Sequence, residues 1–150
     1  AGRIINISSM GGRFTTYFGA WYHATKYALE AFSDALRMEV KPFGIDVSLI
    51  EPGGIKTDWG LIAADHLADS AKGGAYEEAA LKTATGMRKQ YSGNMMSDPK
   101  IISKTISKAV SSKRMRARYL IGFGAKPLVF LHTILPTRIL IANHAGQLIK

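Results

Sequence analysis

RIINISSMGG, residues 3–12, is the stretch that decides the fold. Its first six residues are rich in β-branched side chains, and Ser9 with the Gly11-Gly12 pair stops them, as in a buried parallel strand that runs into a loop. Downstream, from about Trp21 to Lys41, the apolar residues Leu29, Phe32, Leu36 and Val40 recur at helical spacing until Pro42 and Gly44 close the pattern. Ile45 to Ile50 then reads as a second strand. Glu51-Pro52-Gly53-Gly54 should break it sharply, because proline lacks a ladder donor and glycine permits turn geometry. Strand, helix and strand in some fifty residues form a βαβ unit with parallel strands. In open α/β sheets ligands gather beyond the carboxyl ends of the strands, so the Ser9 loop and the Pro52-Gly53 loop should face one crevice.

Outward from that unit the pattern is more varied. Lys56 to Gly74 reads as an irregular, mobile segment over the crevice, with helical turns around Leu61 to Ala71. Ala75 to Tyr91 reads as a helix. Asp98 and Pro99 supply an N-cap and a first-turn proline for another, on which Ile102, Ile106 and Val110 share a face. Arg118 to Phe123 reads as a third strand. From Lys126 onward the chain is apolar, but Pro127, His132, Pro136 and Arg138 interrupt it well short of the roughly 20 apolar residues of a membrane-spanning helix.

Composition narrows the function classes. The chain has 150 residues, 47% of them apolar, enough for one domain over 1–150 that needs no disulfide or metal for stability. Cysteine is absent, which excludes disulfide scaffolds and thiolate metal sites and accords with a cytoplasmic location. The net charge of +9, concentrated between Lys100 and Arg118, reads as a solvated helix face. The basic residues alternate with Ile, Val and Ser, and no nucleic-acid motif accompanies them. His23, His66, His132 and His144 lack metal-ligand spacing and read as surface or packing residues.

Tyr22 and Lys26 carry the candidate chemistry. Four residues apart on a helix, they share a face one turn apart. A free phenol has a pKa of about 10, and a nearby ammonium favours the phenolate, so Tyr22 becomes a candidate general acid/base toward a carbonyl or an alcohol. Tyr-x-x-x-Lys alone is common on helix surfaces. Here it stands in order behind Asn6-Ile7-Ser8-Ser9 and Gly12 and ahead of Glu51-Pro52-Gly53.

Those blocks together resemble the active-site strand, the Tyr-x-x-x-Lys helix and the Pro-Gly turn of short-chain dehydrogenases/reductases. The resemblance implies the C-terminal half of a Rossmann-like doubly wound parallel sheet that binds NAD or NADP, with the N-terminal half absent. It implies that Ser9 hydrogen-bonds the substrate oxygen, that Tyr22 transfers the proton, and that Lys26 holds the ribose hydroxyls while lowering the tyrosine pKa. Ser8, on the opposite face of the strand, is the weaker serine. By the same resemblance Pro52, Gly53, Ile55 and Thr57 lie beside the nicotinamide, with the Ile55 backbone and the Thr57 hydroxyl on its carboxamide or phosphate. Gly54 and Lys56 read as ordinary turn residues. Met10, Trp21, Trp59, Leu61 and Ile62 are candidates for an apolar substrate wall, with ordinary packing as the alternative.

Two elements of the resembled pattern are missing: the glycine-rich pyrophosphate turn and an asparagine on the helix before the first strand. Both are expected upstream, and a chain lacking them is expected to be unstable or to aggregate through the open strand edge. The resemblance also implies a homo-oligomer of the full-length protein, with the Tyr22 helix in a four-helix contact. The implied activity is hydride transfer between NAD(P)(H) and an apolar secondary alcohol or carbonyl compound. The alternatives are a catalytically silent association or binding module, and a membrane-surface protein that uses the basic stretch and the apolar tail from Leu128 to Ile141.

Overall fold

A computed structural model describes residues 1–136, 138 and 139. His144 and the end of the Leu128–Ile141 tail lie outside the described residues. Three parallel strands form one sheet in the order β1 (Gly2–Ile7), β2 (Ile45–Pro52), β3 (Arg118–Ile121). Gly2 pairs with Ile45 through to Ile7 with Ile50, and Leu49 pairs with Arg118 through to Pro52 with Ile121. Flanked on both edges, β2 buries five consecutive residues, Val47 to Glu51, as expected of the centre of a parallel sheet covered on both faces. The outer edge of β1 has no strand partner among the described residues.

The helices are α1 (Ala20–Val40), α2 (Trp59–Ser70), α3 (Glu77–Ser92), α4 (Lys100–Ser111) and α5 (Ala125–Ile134). A short 3-10 turn, Met10–Gly12, follows β1. None of these helices is long and apolar enough to cross a membrane. Together the sheet and helices form the α/β architecture expected of a doubly wound parallel sheet.

Four details depart from the sequence expectations. First, the buried residues of α1 are polar, His23 against the loop after β1 and Glu30 and Ser33 further along, while Phe32 of the apolar series is 57% exposed. The surface beneath is itself polar. Asn6 Nδ2 donates to Ser33 Oγ at 2.8 Å, and Arg37 Nε donates to the Val47 carbonyl at 2.8 Å, so hydrogen bonding sets the helix rotation. Second, β2 continues through Pro52. The following amide, Gly53 N, donates to Ile121 O at 2.7 Å, so the donor that proline lacks is not needed at the strand's last position.

Third, the segment after Lys56 is mostly regular helix. α2 packs on α3 through Ala64, Ala68 and Ala84, with Leu67 and Met87 against them, and small side chains let the two helices approach closely. Arg88 adds an ion pair to Asp65 at 2.7 Å. Fourth, Val110 of α4 is exposed and Ala109 is buried in its place. Arg3 of β1 reaches the last turn of α4 and donates to the carbonyls of Ala109, Val110 and Ser112, at a helix end whose carbonyls lack i+4 partners. Pro99 takes the N-cap position and Asp98 stands one residue before it, where its Oδ1 accepts from Lys100 N at 2.7 Å.

Candidate active site

The carboxyl ends of β1 and β2 lie side by side, and the residues singled out above collect there. Ser9 caps the 3-10 turn after β1. Its Oγ accepts from Gly11 N at 3.0 Å and donates to the Pro52 carbonyl at 3.4 Å, a long bond that ties the two loops together. Ser8 is buried the other way. A Cβ on Gly12 would come within 3.1 Å of its Oγ, which has no hydrogen-bond partner among the described residues.

Tyr22 and Lys26 rise from the first turns of α1 on one face. The Tyr22 ring covers Gly11 so closely that a Cβ there would sit 3.0 Å from Cε1. Lys26 Nζ donates to the Ile7 carbonyl at 3.2 Å, the last carbonyl of β1. It forms no ion pair with a carboxylate among the described residues, so its charge is free to act on a neighbouring phenol or ligand hydroxyl.

Aromatic rings line the approach to Tyr22. Trp59, at the start of α2, has its ring centroid 5.1 Å from that of Tyr22 and 6.3 Å from that of Tyr91. Burial pushes the Tyr91 hydroxyl pKa up, with Tyr22 adding to the effect, so Tyr91 stays a neutral wall. Its ring lies flat on Gly60, where a Cβ would come within 2.3 Å. Leu61 and Met10 are half-buried and Ile62 is exposed. Trp21 is 86% exposed, so it does not serve as a wall. It neighbours Tyr22 in sequence, yet a helix turns adjacent side chains about 100° apart.

The Pro52–Thr57 turn is anchored from both sides. Gly54 N donates to Phe123 O at 2.8 Å, Ser97 N to Gly54 O at 3.0 Å, and Lys56 N to Ser97 O at 2.9 Å. Gly53 is required by close contact with backbone, whereas at Gly54 the contact is with a flexible methionine side chain. A Cβ would come within 2.4 Å of the Phe123 carbonyl at Gly53 and within 2.4 Å of Met96 Sδ at Gly54. Ile55 pairs with Ser97 in a parallel bridge whose bonds use the groups on either side of it, which leaves the Ile55 amide directed away from Ser97. Thr57 is exposed.

Residues 1–64 match the family model described as short chain dehydrogenase. Over this stretch the chain is similar to that family. A probable short-chain type dehydrogenase/reductase, VdlC of Helicobacter pylori, is 39% identical over 138 residues, covering 90% of this chain and 48% of the relative. The 17-beta-hydroxysteroid dehydrogenase type 6 of Rattus norvegicus is 35% identical over 149 residues, covering 91% and 45%. A short-chain dehydrogenase from Streptomyces avermitilis superposes with a TM-score of 0.65 at 31% identity, covering 89% of this chain and 46% of that one. The chain therefore spans about half the length of these relatives.

Against this short chain dehydrogenase frame, a nicotinamide cofactor fits the groups present: an ammonium without a carboxylate partner, an outward backbone amide at Ile55, and a turn whose glycines keep its backbone close to the sheet. Among the described residues, no cluster of three or more His, Asp or Glu is placed to hold a metal ion. Sequence reasoning overlooked three residues of the site. Tyr91 joins it through a helix distant in sequence, and Glu51 is buried beneath it. His23 is only 4% exposed, with both ring nitrogens bonded, where the sequence left a surface or a packing role open. The flanking glycines at 11 and 19 were its one signal.

Proposed function

We propose that the chain carries the proton-transfer centre of an NAD(P)-dependent oxidoreductase that interconverts an apolar secondary alcohol and its carbonyl compound. The observation that carries this reading is the convergence of Tyr22 and Lys26 on the carboxyl ends of β1 and β2, beside a serine whose hydroxyl is only weakly engaged. A bound nicotinamide would supply or accept the hydride. Lys26 and the Ile55 amide are the groups proposed to hold it, with Pro52, Gly53 and Thr57 shaping that side.

The residues' own work is then simple. In the reducing direction Ser9 exchanges its 3.4 Å bond to the Pro52 carbonyl for one to the substrate oxygen and polarises it. As negative charge develops on that oxygen, the Tyr22 O–H bond breaks and its proton forms the new alcohol. The phenolate left behind is stabilised by the Lys26 ammonium and regains a proton from solvent. Oxidation runs the same steps backwards. Trp59, Tyr91 and Leu61 favour an apolar substrate, and the hydroxysteroid named for the rat relative accords with that.

The test is NADH and NADPH oxidation with a panel of apolar ketones, comparing wild type with Tyr22→Phe. A loss of about 100-fold or more in kcat supports the assigned acid/base. Unchanged turnover refutes it. Cofactor binding without turnover on any ketone or alcohol points to the silent binding module.

A further inference from the structure

His23 follows Tyr22 directly, its ring edge-on to the Tyr22 ring with centroids 5.3 Å apart, and it is buried in the fold. The Thr16 backbone N–H donates to Nε2 at 3.0 Å, so Nε2 must present its lone pair. The proton therefore sits on Nδ1, which donates to the Gly11 carbonyl at 2.7 Å. The opposite tautomer would set N–H against N–H at Thr16 and lone pair against lone pair at Gly11. The Thr16 hydroxyl, 2.9 Å from Nε2, completes the set.

Two glycines leave room for the ring. A Cβ at Gly19 would come within 2.5 Å of Cδ2 and Nε2, and one at Gly11 within 3.0 Å of Nδ1. Between them the loop returns to α1 through Phe18 at φ +58°, a conformation that non-glycine residues rarely adopt. The His23–Thr16 bonds span that turn and hold it closed against the helix.

Gly11 joins this arrangement to the reactive groups. Its carbonyl accepts from His23, its amide donates to Ser9 Oγ, and its Cα lies under the Tyr22 ring. A continuous path therefore runs from α1 through the imidazole and Gly11 to the Ser9 hydroxyl and on to the Pro52 carbonyl. We propose that His23 is a positioning residue, which in its neutral Nδ1–H form fixes the Ser9 hydroxyl relative to Tyr22 by gripping Gly11 and Thr16. The inference rests on the oxidoreductase reading above for its catalytic consequence and on the loop geometry for its structural one.

Two measurements separate these. Imidazole nitrogen NMR of the unmodified chain at neutral pH should show His23 protonated at Nδ1 and unprotonated at Nε2; the reverse tautomer overturns the proposal whatever the activity. Kinetics of His23→Phe, which fills the slot without bonds, should show kcat lowered by about 10- to 100-fold with KM and cofactor affinity within about two-fold, the signature of misorientation. His23→Asn, whose amide can still donate to the Gly11 carbonyl, should restore most of that loss. An unchanged kcat in His23→Phe overturns the inference, as does a combined collapse of kcat, KM and cofactor affinity that His23→Asn does not rescue. Tyr22→Phe serves as the control: if it stays active, the acid/base reading falls, while the tautomer measurement still decides the loop geometry.

Discussion

Replacing Glu51 with glutamine should change how stability depends on pH. Glu51 stands near the end of β2, its side chain 1% exposed beneath α1, and it shares its surroundings with Glu30. Arg118 Nε lies 3.2 Å from Glu51 Oε1 and 3.0 Å from Glu30 Oε2, and Arg13 Nη1 lies 3.3 Å from Glu51 Oε1. Burial first, and then Glu30, push the Glu51 carboxyl from 4.5 up to about 7 against the pull of Arg13. In the unfolded chain the group loses its proton near 4.5; in the fold it keeps the proton until about 7. Its contribution is thus fully present below pH 4.5 and is lost as the pH rises to about 7.

At about 1.4 kcal/mol per unit, that span sets a ceiling of about 3 kcal/mol. The two guanidiniums and the solvent that reaches Arg13 reduce it to about 1–2 kcal/mol. Glutamine copies the shape and neutrality of the protonated acid. Urea denaturation from pH 5 to 8 should show wild type losing about 1–2 kcal/mol relative to Glu51→Gln, with the variant the more stable above pH 7. Parallel pH profiles for the two proteins, or a wild type that gains on the variant as the pH rises, would refute the reasoning.

The same network makes Arg118→Met costly, because it leaves Glu30, Asp34 and Glu51 without their shared cation. A loss of about 2 kcal/mol is expected by chemical denaturation, below the roughly 3–5 of a fully buried pair since solvent reaches the guanidinium. Asp34, held below the usual carboxylate range chiefly by its hydrogen bond to Arg118, should titrate higher in that variant by carboxyl NMR. Gly60→Ala drives a methyl to within 2.3 Å of Tyr91, so it should cost about 1–3 kcal/mol and lower Tm. The displaced Tyr91 should also alter the fluorescence of Trp59, its neighbour at 6.3 Å; a variant with unchanged Tm and emission would show that the ring is not packed there.

The βαβ core was legible because its signals are local. A β-branched run that ends in Ser9 and Gly11-Gly12, a helix-length pattern closed by Pro42 and Gly44, and a second apolar run suffice to set strand, helix and parallel strand. Four-residue spacing was enough to put Tyr22 and Lys26 on one face, and the serines and glycines after Ile7 mark the end of β1 to within a residue. α2 was harder to see, because its buried residues are alanines and a glycine, which add little amphipathic contrast to Trp59–Ser70.

The sequence by itself thus determined which elements form, their order, and which side chains share a face or a strand end. Only the tertiary structure decided which face of α1 meets the sheet, because periodicity reports that residues align and is silent on what they align against. The half-buried Asn6 of β1, which bonds Ser33, helps draw the Glu30–Ser33 stripe inward and leaves Phe32 outside. His23 and Glu51 show the same limit. Each owes its role to partners brought from other segments, Gly11 and Thr16 for one and Glu30, Arg13 and Arg118 for the other, and the hydrogen bonds and charges that define those roles exist only once the chain has closed around them.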